Sequence, residues 1–376
     1  MNNERITFWD VLRSCGSWRI KSVKILDFCL GACWAGLLPA RERTPDNVLG
    51  FKKILVIRPG GIGDAVFLLP VLTALKQHDP NIRVDVLCEK RNREIFDSQK
   101  QLVSNVYCYD SLAEIIFLFK QNYDVVIDTE QWHYLSAIVA YYIKARHTAG
   151  FATRPLRAKL FNLKVEYGVD EYELNNFQKI FEAALGVKLK IDGLKNSFVL
   201  NNSLLEWAEK EVPENSVAIF SGGSIEARRL TKQQVIDLVE SLIQNGKTAV
   251  LLGGKDQNQL GADLEAKFKS SSFLNYIGKT TLQESAALIK KCKLFIGTDS
   301  GLLHLANAVG TPAVGIFGSG NWQKWGMRGR GENFSLNLHC SPCALFGYTM
   351  PTCHGKYDCV KSIKIADIIS MIKDGC

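Results

Sequence analysis

Two short stretches set carboxylates beside bare backbone. In VIRPGGIGDAV, Val56 to Val66, an apolar run gives way to Gly60, Gly61 and Gly63 and then to Asp64. Glycines at such a corner allow a tight turn and close approach of an anion or a second backbone, and the following helix would present its amino end to that space. Asp64 at the helix start could serve as a general base on a bound hydroxyl; on spacing alone it reads equally well as an N-cap. In IGTDSGLLHLANAVGTPAVGIFG, Ile296 to Gly318, a turn from Gly297 to Gly301 carries Asp299 and Ser300 between strand and helix. Its exposed N–H groups suit a diphosphate, whose charge the helix dipole favours. His304 follows one helical turn later and is expected to face the same space, the alternative being a hydrogen-bonded core histidine.

A third cluster, CSPCALFGYTMPTCHGKYDC, holds Cys340, Cys343, Cys353 and Cys359. Four thiolates at such spacing suit a structural zinc or iron, with His339 or His354 able to replace one ligand; reduced, unligated thiols are the alternative.

Elements to position these residues are legible from Lys53 onward. KILVIR, RVDVLC and YDVVID read as strands, and DAVFLLPVLTALKQH and WHYLSAIVAYYIKA as helices, an alternation that predicts a parallel sheet covered by helices on both faces. After the linker-like KLKIDGLKNS and the helical SLLEWAEKEV comes a second series, SVAIFSGG, KTAVLLGG, FLNYIG, KLFIGTDSG and TPAVGIFG. Each run ends in glycine at the carboxyl end of a strand, the edge where open α/β sheets bind ligands. The expected organisation is an amphipathic extension over 1–50, one Rossmann-like domain over 51–200, another over 201–360 with a Cys-rich loop at 340–359, and a C-terminal helix over 361–376.

A chain of 376 residues, 47% apolar, has material for two such cores. Its net charge of +8, from 46 basic and 38 acidic residues without a long basic block, fits an anionic small molecule or a membrane surface and argues against nucleic acid. Eleven cysteines without the ordered parts of a signal peptide point to a reducing cytoplasm. No run reaches the roughly 18 apolar residues of a spanning helix. Between residues 1 and 50, Ile6, Phe8, Trp9, Val11, Leu12 and Trp18 alternate with Arg5, Arg13, Arg19, Lys21 and Lys24, which suits either an interfacial element or a helical extension packed on the core.

Taken in order, ILVIRPGGIGDAVFLLP, FSGGSIEARRL, LLGGKDQ, IGKTTLQESAALI and GTDSGLLHLANAVGTPAVGIFG resemble the family 9 glycosyltransferases, typified by lipopolysaccharide heptosyltransferases. The resemblance implies an α/β fold of the GT-B type, two Rossmann-like domains facing a cleft, with the acceptor mainly on the first and a nucleotide-diphosphate sugar on the second. It implies inverting transfer with no cofactor for catalysis, Asp64 as the catalytic carboxylate, and Gly61 and Gly63 on the acceptor side. ADP-heptose is the donor it suggests, and a lipopolysaccharide-type or other lipid-linked cell-surface glycan the acceptor, met at the inner face of the bacterial inner membrane.

On the donor side, Asp299 resembles the acidic residue that contacts the sugar, while the amides of Ser300, Gly301 and Leu302 would cradle the phosphates. Arg228 and Arg229 stand where relatives carry a lysine followed by Trp-Pro, and either would neutralise the diphosphate. Asp256 or Gln257 stands where relatives often place a ribose-binding glutamate. Asp128, Glu130 and His133 follow a first-domain strand and are acceptor-side candidates; Asp128-Thr129-Glu130 looks like a metal-binding DxD, but in the half that does not hold the donor. A metal at the cysteine cluster would be structural, as in family members that hold iron with a similar cluster. Competing readings are a nucleotide-sugar epimerase on the same fold, a glycan-binding protein without catalysis, and a NAD-dependent oxidoreductase. The last would use Gly61 and Gly63 with Glu89, but it meets Val66 where GxGxxG needs its third glycine.

Overall fold

The computed structural model describes residues 24–42, 50–223, 225–345, 348–349 and 356–375. Most of the expected amphipathic extension, residues 1–23, lies outside the described residues, as do Cys353 and His354. The chain divides into two compact units, the first ending at Gly193 and the second beginning at Leu194.

In the first unit the centre of the sheet is β1 (Lys53–Arg58), buried from Ile54 onward. Beside it lie β2 (Arg83–Cys88), β3 (Asn105–Cys108), β4 (Asn122–Asp128), β5 (Lys144–Phe151) and β6 (Leu163–Val165), in the order β3-β2-β1-β4-β5-β6 with parallel pairing. Near-continuous apolar runs form these central strands because a parallel sheet is covered on both faces. The helix Ile62–His78 follows β1 and is buried from Ala65 through Leu72, so an apolar surface all round suits it.

The second unit repeats the plan. Its strands are β7 (Ser216–Phe220), β8 (Thr248–Leu252), β9 (Phe273–Asn275), β10 (Leu294–Thr298), β11 (Ala313–Ile316) and β12 (Gly331–Phe334), in the order β12-β11-β10-β7-β8-β9. Both sheets are therefore doubly wound. Their strand order reverses beside the first strand, between β1 and β4 and between β7 and β10, and a crevice opens at the carboxyl ends at such a point.

Several elements differ from expectation. WHYLSAIVAYYIKA is not one helix: helix covers Tyr134–Tyr142, Ile143 turns extended, and Lys144 starts β5. The polar KARHTAGF hides that strand because β5 pairs with β4 on one side and only the three-residue β6 on the other, and its first three residues stay outside the core. The short edge strands β3, β6 and β12 carry too few residues to show a period. The closing helix, Ile365–Gly375, belongs to the second unit, where Ile363, Ile365 and Ile368 share a core with Val235 and Leu238 of the helix Lys232–Gln244.

Ahead of the first sheet, residues 24–37 form a leading helix with a π-helical turn at Asp27–Gly31 and an α-helical end at Ala32–Leu37. Asp27, Gly31 and Ala35, four residues apart, are its buried edge. Gly31 suits this close approach, since a Cβ would lie 3.0 Å from the Cβ of Tyr134.

Candidate active site

The first switch point is built on Arg58, the last residue of β1, whose side chain is fully buried. Its Nη2 lies 2.9 Å from Glu130 Oε2 and 3.8 Å from Asp64 Oδ2, and the guanidinium also donates to the carbonyls of Pro59 at 2.7 Å and Thr129 at 2.8 Å. Burial opposes a charge there, but Asp64, Glu130, Glu173 and Asp128 outweigh it and raise the Arg58 pKa. Gly60, at φ +111°, turns the chain between these groups; a Cβ on it would lie 3.1 Å from Arg58 Nη2.

Gly61 is the N-cap of the helix Ile62–His78, with Gly63 and Asp64 in its first turn. The N-cap alternative for Asp64 is thus not realised. Its side chain is 26% exposed, against 7% for Glu130 and 0% for Asp128. Within this cluster Asp64 is the carboxylate most exposed to solvent.

Asp128 and Glu130 are committed elsewhere. Arg157, wholly buried, donates to Asp128 Oδ2 at 2.7 Å and to the carbonyls of Glu130, Phe151 and His133 at 2.6, 2.6 and 3.1 Å. Ser136 donates to the same Asp128 oxygen, and the N–H of Glu130 to the other. Burial pushes the Asp128 carboxyl up to about 6 even with Arg157 opposing. Burial acts on Glu130 in the same sense, yet Arg58 prevails and its pKa is lowered. Asp128-Thr129-Glu130 is therefore a buried brace rather than an open DxD. Gln131 and the Tyr167 hydroxyl each donate to Glu173 at 2.7 Å, which closes the cluster from below.

His133 meets the leading helix. Its Nδ1 is 3.1 Å from Asp27 Oδ2, and Asp27 accepts the N–H groups of Tyr134 at 3.2 Å and Leu135 at 2.8 Å. A carboxylate from outside thus caps the helix Tyr134–Tyr142. Burial disfavours the imidazolium of His133, but the bond to Asp27 and the charge of Glu130 outweigh it and raise its pKa. Lys24, at the start of the leading helix, is pushed down to about 8, first by burial and then by Arg91, with Glu130 opposing.

The second switch point gathers the carboxyl ends of β7 and β10. Thr298 donates its hydroxyl to the Gly222 carbonyl and ties the two together. Asp299 is buried, and Arg228 Nε lies 3.3 Å from its Oδ2. The two are not aligned for a hydrogen bond: Arg228 Nε and Asp299 Oδ2, like the hydroxyls of Ser300 and Ser319, are buried atoms without a hydrogen-bond partner. The hydroxyls of Ser300 and Ser319 thus keep hydrogen-bonding capacity to offer, and the Arg228–Asp299 pair is held by charge alone.

Glycines shape the cradle: a Cβ on Gly320 would lie 1.9 Å from Asp299 Oδ2, and one on Gly223 2.9 Å from Arg228 Cβ. Ser300 is the N-cap of the helix Gly301–Val309, and the first N–H groups of that helix, Leu302's among them, have no acceptor within it. His304 is buried one turn on and is pushed down to about 4, by burial first, with Arg228 adding and Asp299 opposing, so it is a neutral imidazole.

The choice between the two arginines is resolved. Arg228 turns to Asp299, whereas Arg229 donates to the Gly223 carbonyl at 2.8 Å and pairs with Asp256 at 3.1 Å on the surface. Asp256 and Gln257 separate likewise. Gln257 reaches inward between Gly222 and Gly253, where Cβ atoms would lie 2.5 and 2.7 Å from its Oε1.

The tetrathiolate expectation is not supported. Cys340 and Cys343 are half-buried, Cys359 is packed into the second unit's core, and among the described residues no three His, Cys, Asp or Glu side chains gather as a metal ion requires. The physical reason for Cys359 is its place beside Val360 in an apolar core, where a Cβ on Gly318 would come within 3.2 Å of its Sγ.

Residues not singled out from the sequence are Arg58, Arg157, Glu173, Asp27 and Ser319. Arg58 carried a signal, a cation ending an otherwise apolar strand just before a glycine turn. Ser319 and Gly320 extend the GIFG run by two residues. Arg157 and Asp27 become visible only once tertiary contacts are known.

Two doubly wound sheets in succession, each with its polar residues at the switch point, are the GT-B architecture of nucleotide-sugar glycosyltransferases. The chain matches the model of glycosyltransferase family 9 (heptosyltransferase) over residues 117–353 and belongs to that family. It is a glycosyltransferase. It is 24% identical over 345 residues to lipooligosaccharide heptosyltransferase 2 of Campylobacter jejuni, covering 85% of this chain and 98% of that one. Among solved structures it is similar to a family 9 glycosyltransferase from Veillonella parvula, with TM-score 0.74, 15% identity, and 88% and 98% of the two chains covered. It is also similar to the Escherichia coli ADP-heptose lipopolysaccharide heptosyltransferase II, with TM-score 0.67, 18% identity, and 86% and 98% covered. Family membership sets aside the oxidoreductase expectation.

Proposed function

We propose that this enzyme transfers a heptose from ADP-heptose, with inversion, to a lipopolysaccharide-type lipid-linked glycan at the inner face of the bacterial inner membrane, and that the catalysis uses no metal. The observation that supports the donor half is the buried Arg228–Asp299 pair at the second switch point, with the hydroxyls of Ser300 and Ser319 making no hydrogen bond. Arg228 neutralises the diphosphate as it leaves, the first amides of the helix Gly301–Val309 bind its oxygens, and Asp299 accepts from a sugar hydroxyl. Neutral His304 donates or accepts a hydrogen bond there without adding charge. Gln257 lies on the nucleoside side and Arg229 with Asp256 at its rim. The named donors and acceptors of the relatives support the choice of ADP-heptose and of a lipopolysaccharide acceptor.

On the acceptor side, Asp64 takes the proton from the acceptor hydroxyl as that oxygen attacks the anomeric carbon and the nucleoside diphosphate departs. Arg58 holds the carboxylate in place, Gly61, where a Cβ would meet nothing nearer than 3.8 Å, leaves room for the acceptor beside Gly63, and the Asp128, Glu130 and His133 turn forms the wall.

The test is thermal stabilisation by ADP, GDP, UDP, CDP and NAD, each with and without chelator. A ligand at 100 times its Kd adds about 2.7 kcal/mol to stability. ADP alone among the five should raise the melting temperature, chelator should not change that, and Arg228→Gln should abolish it. Stabilisation by a different nucleotide refutes the donor, and dependence on a divalent ion refutes metal independence. Turnover of the nucleotide sugar without acceptor would favour the epimerase instead.

A further inference from the structure

The leading helix is inside out. A surface helix normally buries its apolar stripe and shows polar residues to water. Here the buried edge includes the carboxylate of Asp27, while Leu26, Leu30, Trp34 and Leu37 are 54%, 63%, 50% and 87% exposed. No charged residue occurs from Phe28 to Ala40. The apolar surface continues onto neighbouring elements through Leu135 and Tyr142, and Trp34 donates its indole N–H to the Tyr142 hydroxyl at 3.2 Å, so its ring is held in place. Single exposed apolar residues need no explanation, but a contiguous patch marks an interaction surface.

We infer that this face docks on the surface of an anionic phospholipid bilayer. Charge favours a bilayer: Lys159, bound to the Gly36 carbonyl at 2.9 Å, stands beside the far end of the stripe, and no charged residue interrupts it from Phe28 to Ala40. An uncharged apolar face with a cation at its margin suits an interfacial helix. The chain preceding Lys24 continues the same chemistry in sequence, with Phe8, Trp9 and Trp18 among Arg5, Arg13, Arg19 and Lys21. Among the described residues no helix is long and apolar enough to cross a membrane, and a helix whose opposite edge packs on His133 and Tyr134 is placed by this inference on the bilayer surface. The inference rests on the reading of a lipid-linked acceptor only in preferring a bilayer to a protein partner.

The full chain should sediment with phosphatidylethanolamine–phosphatidylglycerol vesicles, and weakly with phosphatidylcholine alone. Leu30→Glu with Leu37→Glu should lower the vesicle-bound fraction constant about tenfold or more while melting temperature and stabilisation by ADP stay as in the parent. Stabilisation by ADP is read separately, so a failed donor assignment leaves this result interpretable. The inference is overturned if the parent chain does not sediment, if the double variant sediments equally well, or if vesicle binding emerges only after residues 1–23 are removed. A dimer in solution that the double variant dissociates, with no vesicle binding, assigns the face to a second copy and overturns it too.

Discussion

Replacing Arg157 by methionine tests whether the buried brace holds the acceptor-side turn. Methionine keeps the unbranched stem and its packing, but removes four hydrogen bonds, to Asp128 Oδ2 and to the carbonyls of Glu130, Phe151 and His133. Asp128 is 0% exposed and would lose its ion-pair partner, so its carboxyl would either take up a proton or stay charged without Arg157. Breaking a buried pair from one side costs about 3–5 kcal/mol. For a unit of this size each kcal/mol moves the melting temperature by about 2–4 °C, so the first unit should melt roughly 6–20 °C lower. Calorimetry reads this directly. Adding Asp128→Leu removes the stranded carboxylate and should recover part of the loss, the three carbonyls remaining unsatisfied. An Arg157→Met variant melting within about 2 °C of the parent, or one that Asp128→Leu worsens by the full single-mutant cost, would refute the reasoning.

Asp64→Asn should lower kcat by about 10²–10⁴-fold, the worth of a general base, while stabilisation by ADP is unchanged; equal losses in both would sink its assignment as the base. His304 is neutral in the folded state down to about 4 but protonates near 6.5 when unfolded, so stability should fall with pH between those values, by up to about 1.4 kcal/mol per unit. His304→Gln should flatten that part of the pH–stability curve, measured by denaturant melts from pH 7 to 4. Asp27→Ala should cost about 1–2 kcal/mol, as the loss of a cap does, and the amides of Tyr134 and Leu135 should exchange hydrogen faster.

The second switch point was readable because its chemistry is local. Gly297 and Thr298 end β10, Asp299 and Ser300 make the corner and Gly301 starts the helix, all consecutive in the chain, so Asp299, Ser300 and His304 stay close whatever the rest of the fold does. TTLQE was equally local, though its structural meaning is a capping box between Thr281 and Glu284. The first switch point is assembled from residues distant in sequence: Asp27 reaches His133, and Arg157 reaches back to Asp128. Nothing in the types or spacing of those residues announces the pairing. Arg228 and Arg229 show the intermediate case, since adjacency marked the pair and only the Asp299 and Asp256 partners distinguish the inward one.

The cap supplied by Asp27 has a thermodynamic consequence. The same carboxylate belongs to the outward-facing helix and holds the first amides of Tyr134–Tyr142, directly after the turn of Asp128, Glu130 and His133. Whatever orders that helix stabilises the turn, and whatever binds and orders the turn stabilises the helix. Linkage makes these two effects equal in free energy. If the outer face and this turn each bind what is proposed for them, the two occupancies form one coupled equilibrium, joined through a carboxylate more than a hundred residues away in sequence.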